Sequence, residues 1–297
     1  MTTTATEPPA PESPVGARGA AAGYRPSRTL PFRVEALRQW KRRRTLVMAG
    51  LLAALPAIMV VAFAIGGSQE DSANGSSFMD TATASGANFT AAVLFVSTGL
   101  LVVIPVALFF GDTVASEAGW SSLRYLLAAP VPRNRLLLSK LVVAFLFSLA
   151  AIVLLGAASL LIGTLAYGWG SLDLPFGGAI PAAEAPARLA IAVGYVFVSQ
   201  LAVAGIAFWL STRTDAPLGA VGGAVGFSLL GAILDQITAL GQWRQFLPAH
   251  WQYSWTGAFG ADVDWSEMIR GTSLSLAFAI VLFALAFRGF RTKDVVS

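Results

Sequence analysis

The stretch SEAGWSSLRYLLAAPVPRNRLLLSK, residues 116–140, gathers a carboxylate, three arginines and a terminal lysine between two segments apolar enough for lipid. Glu117, Arg124, Arg133, Arg135 and Lys140 offer charge and hydrogen bonds, which suit recognition of a partner. From Ser116 to Ala129 there is no proline, and Leu123, Leu126 and Leu127 fall at helical spacings. Glu117 stands in the first turn and Arg124 later, as the helix dipole prefers. The pattern predicts a short helix over 116–129, stopped by Pro130-Val131-Pro132 and followed by a basic restart, RNRLLLSK. Such a helix fits a partner's cleft, while the same arginines also suit a plain anchoring loop.

Bond-making chemistry finds little to work with elsewhere. The chain has no cysteine and one histidine, His250, whose nearest acidic residues in sequence are Asp262 and Asp264, a poor set of metal ligands. Intramembrane serine proteolysis needs a Ser–His pair among the apolar segments, and zinc proteolysis needs H-E-x-x-H; neither pattern occurs. The phosphate-cradling G-x-x-x-x-G-K-[ST] is also missing, so any ATP and Mg must be held by another polypeptide. The expectation is a protein that is not an enzyme and binds no metal or cofactor of its own.

Hydropathy sets the elements that hold these residues. Of 297 residues, 56% are hydrophobic and 12% charged, with mean hydropathy +0.68. Apolar segments recur at 45–66, 89–111, 140–167, 187–210, 217–240 and 269–287. Each is near or above the roughly 20 residues a helix needs to cross a hydrocarbon core, and none alternates like a barrel strand. The fold class expected is all-α: a polytopic membrane protein with six transmembrane helices. Residues 1–31, rich in Pro, Thr and Ala, read as a disordered cytoplasmic tail and not as a cleavable leader. Residues 32–44 read as a basic interfacial helix and 45–297 as the membrane domain. STRTDAP joins the fourth and fifth spans in a tight hairpin.

Lys and Arg divide 17 to 3 between the two sets of loops, which predicts both termini in the cytoplasm together with residues 116–140.

On these residues the chain resembles the ABC-2-type transporter permeases. In their cytoplasmic loop an acidic residue, a Gly-Thr-Leu, a Leu-Leu pair, a Pro-Val-Ser-Arg and a Gly-Lys recur in that order. Glu117, Leu123, Leu126, Leu127, Pro130, Val131, Arg133 and Lys140 match. Ser121 and Ser122 stand for Gly-Thr, Pro132 for Ser and Ser139 for Gly. The resemblance implies the permease subunit of an ATP-driven exporter in a bacterial plasma membrane. It implies pairing with a second permease subunit, identical or similar, and docking on an ABC ATPase subunit that carries ATP and Mg. Glu117, Leu123, Arg124, Leu126, Leu127 and Arg133 would be the coupling residues. The alternative is a non-transporting membrane anchor or sensor that recruits a cytoplasmic partner; nucleic acid is not an expected partner.

Other residues invite weaker assignments. Phe32, Ala36 and Trp40 recur every fourth residue, as on a helix lying on membrane lipid, with Arg33 intruding. Gly219, Gly222, Gly223 and Gly226 let helices approach closely, within one bundle or across a dimer. Asp235 lies near the outer end of the fifth span, either a wetted, outward-facing carboxylate or part of a translocation path or outer gate. Trp251 and Trp255 lie in a loop rich in aromatics, either an interfacial belt or an outer gate to the translocation path. Pro105 predicts a kink in the second span.

Overall fold

The computed structural model describes residues 32–66, 77–119, 132–175 and 177–292. Long apolar runs become long helices, because in lipid each backbone amide must find its partner within the segment. In chain order these are α1 (Phe32–Lys41), α2 (Arg43–Gly66), α3 (Gly86–Ser97), α4 (Leu100–Gly119) and α5 (Arg133–Tyr167). A two-stranded antiparallel ribbon follows, β1 (Leu172–Asp173) and β2 (Ala179–Ile180), pairing Leu172 with Ile180. Then come α6 (Ala185–Ser199), α7 (Leu201–Arg213), α8 (Pro217–Asp235), the 3₁₀ turns Thr238–Phe246, Pro248–Trp251 and Ser254–Phe259, and α9 (Ser266–Thr292). Six stretches are long and apolar enough to span a bilayer: α2, α4, α5, α6 with α7, α8 and α9. The protein is an all-α, multi-pass membrane protein.

Two of the expected spans are broken. The segment 89–111 divides at Thr98–Gly99 into α3 and α4, while α4 runs on through Pro105. The interruption is therefore not at the proline. Glycine's low helix propensity falls between the two helices, and Pro105 lies in the second turn of α4. The segment 187–210 divides at Gln200, whose N–H turns back to the Phe197 carbonyl at 3.2 Å. The fifth span ends at Asp235, short of residue 240. The chain then enters 3₁₀ turns that reverse at Gly241, where φ is +51° and ψ −126°, a conformation that favours glycine.

Helix α4 is the central element, packed against α5, α7 and α8, and α9 runs along α7. Phe110, Phe208 and Phe283 meet where α4, α7 and α9 converge, with Phe110 and Phe208 edge to face at 6.4 Å. Peripheral α2, α8 and α9 turn Ile58, Leu230 and Ile280 outward, as lipid-facing helices do. Glycine permits one close crossing: a Cβ on Gly86 would lie 2.6 Å from the Thr164 backbone nitrogen, so α3 meets α5 backbone to backbone.

Candidate functional site

The helix ends that carry most of the Lys and Arg gather at one end of the bundle, and a buried ionic knot sits there. Lys140, on the second turn of α5, is 1% exposed, and no hydrocarbon neighbour could stabilise its ammonium. Its Nζ lies 2.6 Å from Glu117 Oε1 on α4 and 2.9 Å from Glu35 Oε1 on α1. Both carboxylates are buried too. Arg38 adds a longer contact, 3.7 Å, to the other oxygen of Glu35. Three helices distant in sequence are thus tied through one cation, with two carboxylates around it.

A second clamp holds the corner between α1 and α2. Asp112, buried on α4, accepts hydrogen bonds from Arg42 at 2.6 Å and from Arg44 at 2.5 Å, one on each oxygen. On the other face of α4, Ser211 Oγ of α7 accepts the Val114 and Ala115 amides at 3.1 and 3.0 Å. Arg133 at the start of α5 donates to the Arg291 carbonyl in the last turn of α9 at 3.1 Å, a cation at the negative end of a helix. The last two turns of α4 are therefore gripped by Arg42 between α1 and α2 and from α2, α5 and α7.

This placement corrects one expectation. Residues 116–119 are the final turn of α4 and not the first turn of a separate helix. Glu117 consequently stands at a helix C-terminus, where the dipole disfavours an anion, and the Lys140 ammonium offsets that placement. Leu123, Arg124, Leu126 and Leu127, with the remainder of the expected helix, lie outside the described residues, as does the tail 1–31.

In α1 two polar residues face inward: Glu35 reaches Lys140, and Gln39 Nε2 donates to Thr45 Oγ1 at 3.4 Å. Phe32 and Trp40 are exposed on the outside, and the Trp40 ring lies 6.5 Å from that of Phe147. Of the small-residue stripe on α8, Gly223 packs against Leu210, since a Cβ there would lie 2.7 Å from Leu210 Cδ1. Gly219 has only loose neighbours, and a Cβ on Gly222 or Gly226 would meet nothing within 4 Å.

At the opposite end, Asp235 is partly exposed and paired. Its Oδ1 lies 2.6 Å from His250 Nδ1, and its backbone carbonyl accepts from Arg244 at 2.9 Å. The histidine's partner is thus Asp235, not the acids nearest to it downstream, because the 3₁₀ turns fold back over the end of α8. Trp251 is buried, donating from Nε1 to the Gln245 carbonyl while Tyr195 Oη donates to its own carbonyl. Trp255 is fully buried against Phe78 and Phe259. A cavity of about 700 Å³ opens beside them, walled by Phe95, Tyr253, Phe259 and Glu267 and by neither tryptophan. Burial raises the Tyr253 phenol above its ordinary value. Hydrogen bonds from the Ser266 hydroxyl and amide hold the exposed Asp264 carboxyl below its usual range, where it caps α9. Among the described residues no group of three or more His, Asp or Glu is placed to hold a metal ion.

Sequence reasoning passed over Glu35, Asp112 and Arg42 as a set. The available cue was a carboxylate placed within or beside apolar sequence, which demands a partner; Asp112 has that character.

Comparison with known families places a match over residues 38–296 with the family described as "Protein of unknown function (DUF2705)". An "Uncharacterized protein YhcI" of Bacillus subtilis (strain 168) is 29% identical over 230 residues, covering 71% of this chain and 67% of that protein.

Proposed function

The chain belongs to the DUF2705 family, and within it we propose that this protein is the membrane-spanning subunit of an ATP-driven exporter, working with a separate ABC ATPase subunit. The observation that carries the reading is the contact between Glu117 and Lys140. These two residues, the first and last of the stretch that resembles the ABC-2 permease loop, meet at 2.6 Å, with Glu35 of α1 on the same ammonium. The intervening loop begins and ends at one buried point, so a force applied to it by an ATPase reaches α1, α4 and α5 together. The Lys and Arg distribution supports a cytoplasmic location for that end, in a bacterial plasma membrane. The exposed face of α8 around Gly222 and Gly226 suits a second permease subunit.

The reading is tested first by whether an ABC ATPase is encoded beside this chain, then by co-purification with it and by ATP hydrolysis in lipid. Leu126→Asp would bury an unpaired carboxylate at the contact, so ATPase capture and substrate-stimulated hydrolysis should fall at least tenfold at equal membrane expression. Unchanged capture and hydrolysis would leave the loop an anchor, sensitive instead to loss of Arg124, Arg133 and Arg135.

Orientation is checked separately, since the native chain has no cysteine. A cysteine at exposed Ser266 should react with an impermeant thiol reagent added to intact cells, and one at Arg291 only after permeabilisation. The reverse pattern would invert the proposed topology.

A further inference from the structure

The break between α6 and α7 leaves polar groups midway along a stretch long and apolar enough to span a membrane. One of them is satisfied from a neighbouring helix: the Ser199 carbonyl accepts from Ser275 Oγ of α9 at 3.3 Å. Gln200 has no equivalent. It is 4% exposed, and its Oε1 has no hydrogen-bond partner among the described residues. Gln200 also lines a cavity of about 220 Å³ enclosed by Val203 of α7, Phe227 and Leu234 of α8, and Leu247 and Ala249 of the 3₁₀ turns. Ser199, Ser228 and Gln252 also border it, yet the surface it exposes is almost entirely carbon and no charged residue lines it.

Size, polarity and access limit what such a space can hold. A dry cavity of about 150 Å³ admits a benzene-sized molecule, so this one has room for a ring or a segment of alkyl chain. A charged head would be desolvated without a counter-ion and is disfavoured. A carboxamide both donates and accepts, and a hydroxyl matches it in either orientation of the amide. Leu230 and Leu234, both lining residues, are also exposed on α8, which opens the cavity toward the lipid side of the bundle. We propose that this cavity binds a neutral amphiphile, its apolar body between α7 and α8 and its hydroxyl hydrogen-bonded to the Gln200 carboxamide. The hydroxyl can belong to a membrane lipid such as a mono- or diacylglycerol, or to a free long-chain alcohol. The inference does not depend on the transporter reading.

The test uses the full chain in phosphatidylcholine vesicles with a photoactivatable long-chain primary alcohol, compared with an alkane carrying the same photogroup. In the wild type, label from the alcohol should fall on peptides containing Leu230, Leu234 and Leu247–Gln252, exceeding label from the alkane by about five- to tenfold, the worth of one hydrogen bond. Gln200→Leu should abolish that preference while leaving alkane labelling in place. Val203→Phe, which fills the cavity, should remove both, and elution of each variant as a monodisperse peak reports that it has folded. Equal labelling by alcohol and alkane in the wild type, or labelling indifferent to both variants, overturns the proposal. Solvent extraction of protein purified from its native membrane separates the sources. A hydroxyl-bearing lipid retained by wild type and lost from Val203→Phe identifies the membrane; probe labelling without retained lipid identifies a free amphiphile.

Discussion

Lys140→Met should destabilise the protein by about 3–5 kcal/mol, the cost of removing the buried cation that two buried carboxylates share. The ammonium is 1% exposed and contacts Glu35 and Glu117, both buried, so neither carboxylate can turn to water without opening the junction of α1, α4 and α5. Methionine nearly preserves the side chain's length and volume, which restricts the change to charge and hydrogen bonding. Thermal unfolding in detergent should show the loss, and limited proteolysis should cut first near α1. Neutralising the carboxylates in the same background, Glu35→Gln with Glu117→Gln, should recover most of the stability, because a buried ionic group costs most when only one side of it is removed. A Lys140→Met protein that melts with the wild type would mean that the three helices are held by packing alone. Under the proposed function the variant should also uncouple ATP hydrolysis from substrate, even at temperatures where it remains folded.

The sequence carried the architecture because lipid imposes one dominant rule. Six runs of about 20 apolar residues can hardly be anything but helices, and five of the six expected segments overlap a single spanning stretch of the structure closely. The breaks were harder to read. Nothing in hydropathy separates Ser199-Gln200-Leu201 from a continuous helix, since the turn is supported by Ser275 more than 70 residues away. Long-range polar pairing escaped for the same reason. Glu35, Asp112, Glu117 and Lys140 were visible one by one as charges near apolar sequence, but which carboxylate meets which cation depends on how α1 and α2 pack on α5 and how α5 packs on α4. Of the helix expected over 116–129, only residues 116–119 are described. Its first turn is helical, yet it belongs to α4, because helical periodicity does not mark where one helix ends and another begins.

Aromatic density misled in a different way. Trp243, Trp251, Trp255 and Trp265 read alike in sequence, but Trp243 and Trp265 are largely exposed whereas Trp251 and Trp255 are buried. An interfacial belt and a folded cap on the bundle use the same residue types, and only the path of the 3₁₀ turns separates them. That path is fixed at its start by the contact of Asp235 with His250 and at its end by Asp264 capping α9.

Trp255→Ala should therefore cost about 3–5 kcal/mol, in the range of other large aromatic deletions from packed cores. The side chain is fully buried, with ring centroids 5.8 Å from Phe78 and 5.4 Å from Phe259, so alanine opens a cavity that the surrounding rings can only partly fill. Trp255→Phe should cost far less, about 1 kcal/mol, since it keeps most of the ring contact. The indole Nε1 has no hydrogen-bond partner among the described residues, so phenylalanine gives up no bond and removes a buried unsatisfied donor. The pair of variants separates a packing role from gating. A gate residue would change transport in both variants at unchanged melting temperature; a core residue lowers the melting temperature in the alanine variant and leaves the phenylalanine variant near wild type. Thermal unfolding measured beside substrate-stimulated hydrolysis distinguishes the two, and the burial of Trp255 places the expected loss on stability, with activity restored in Trp255→Ala wherever the protein is still folded.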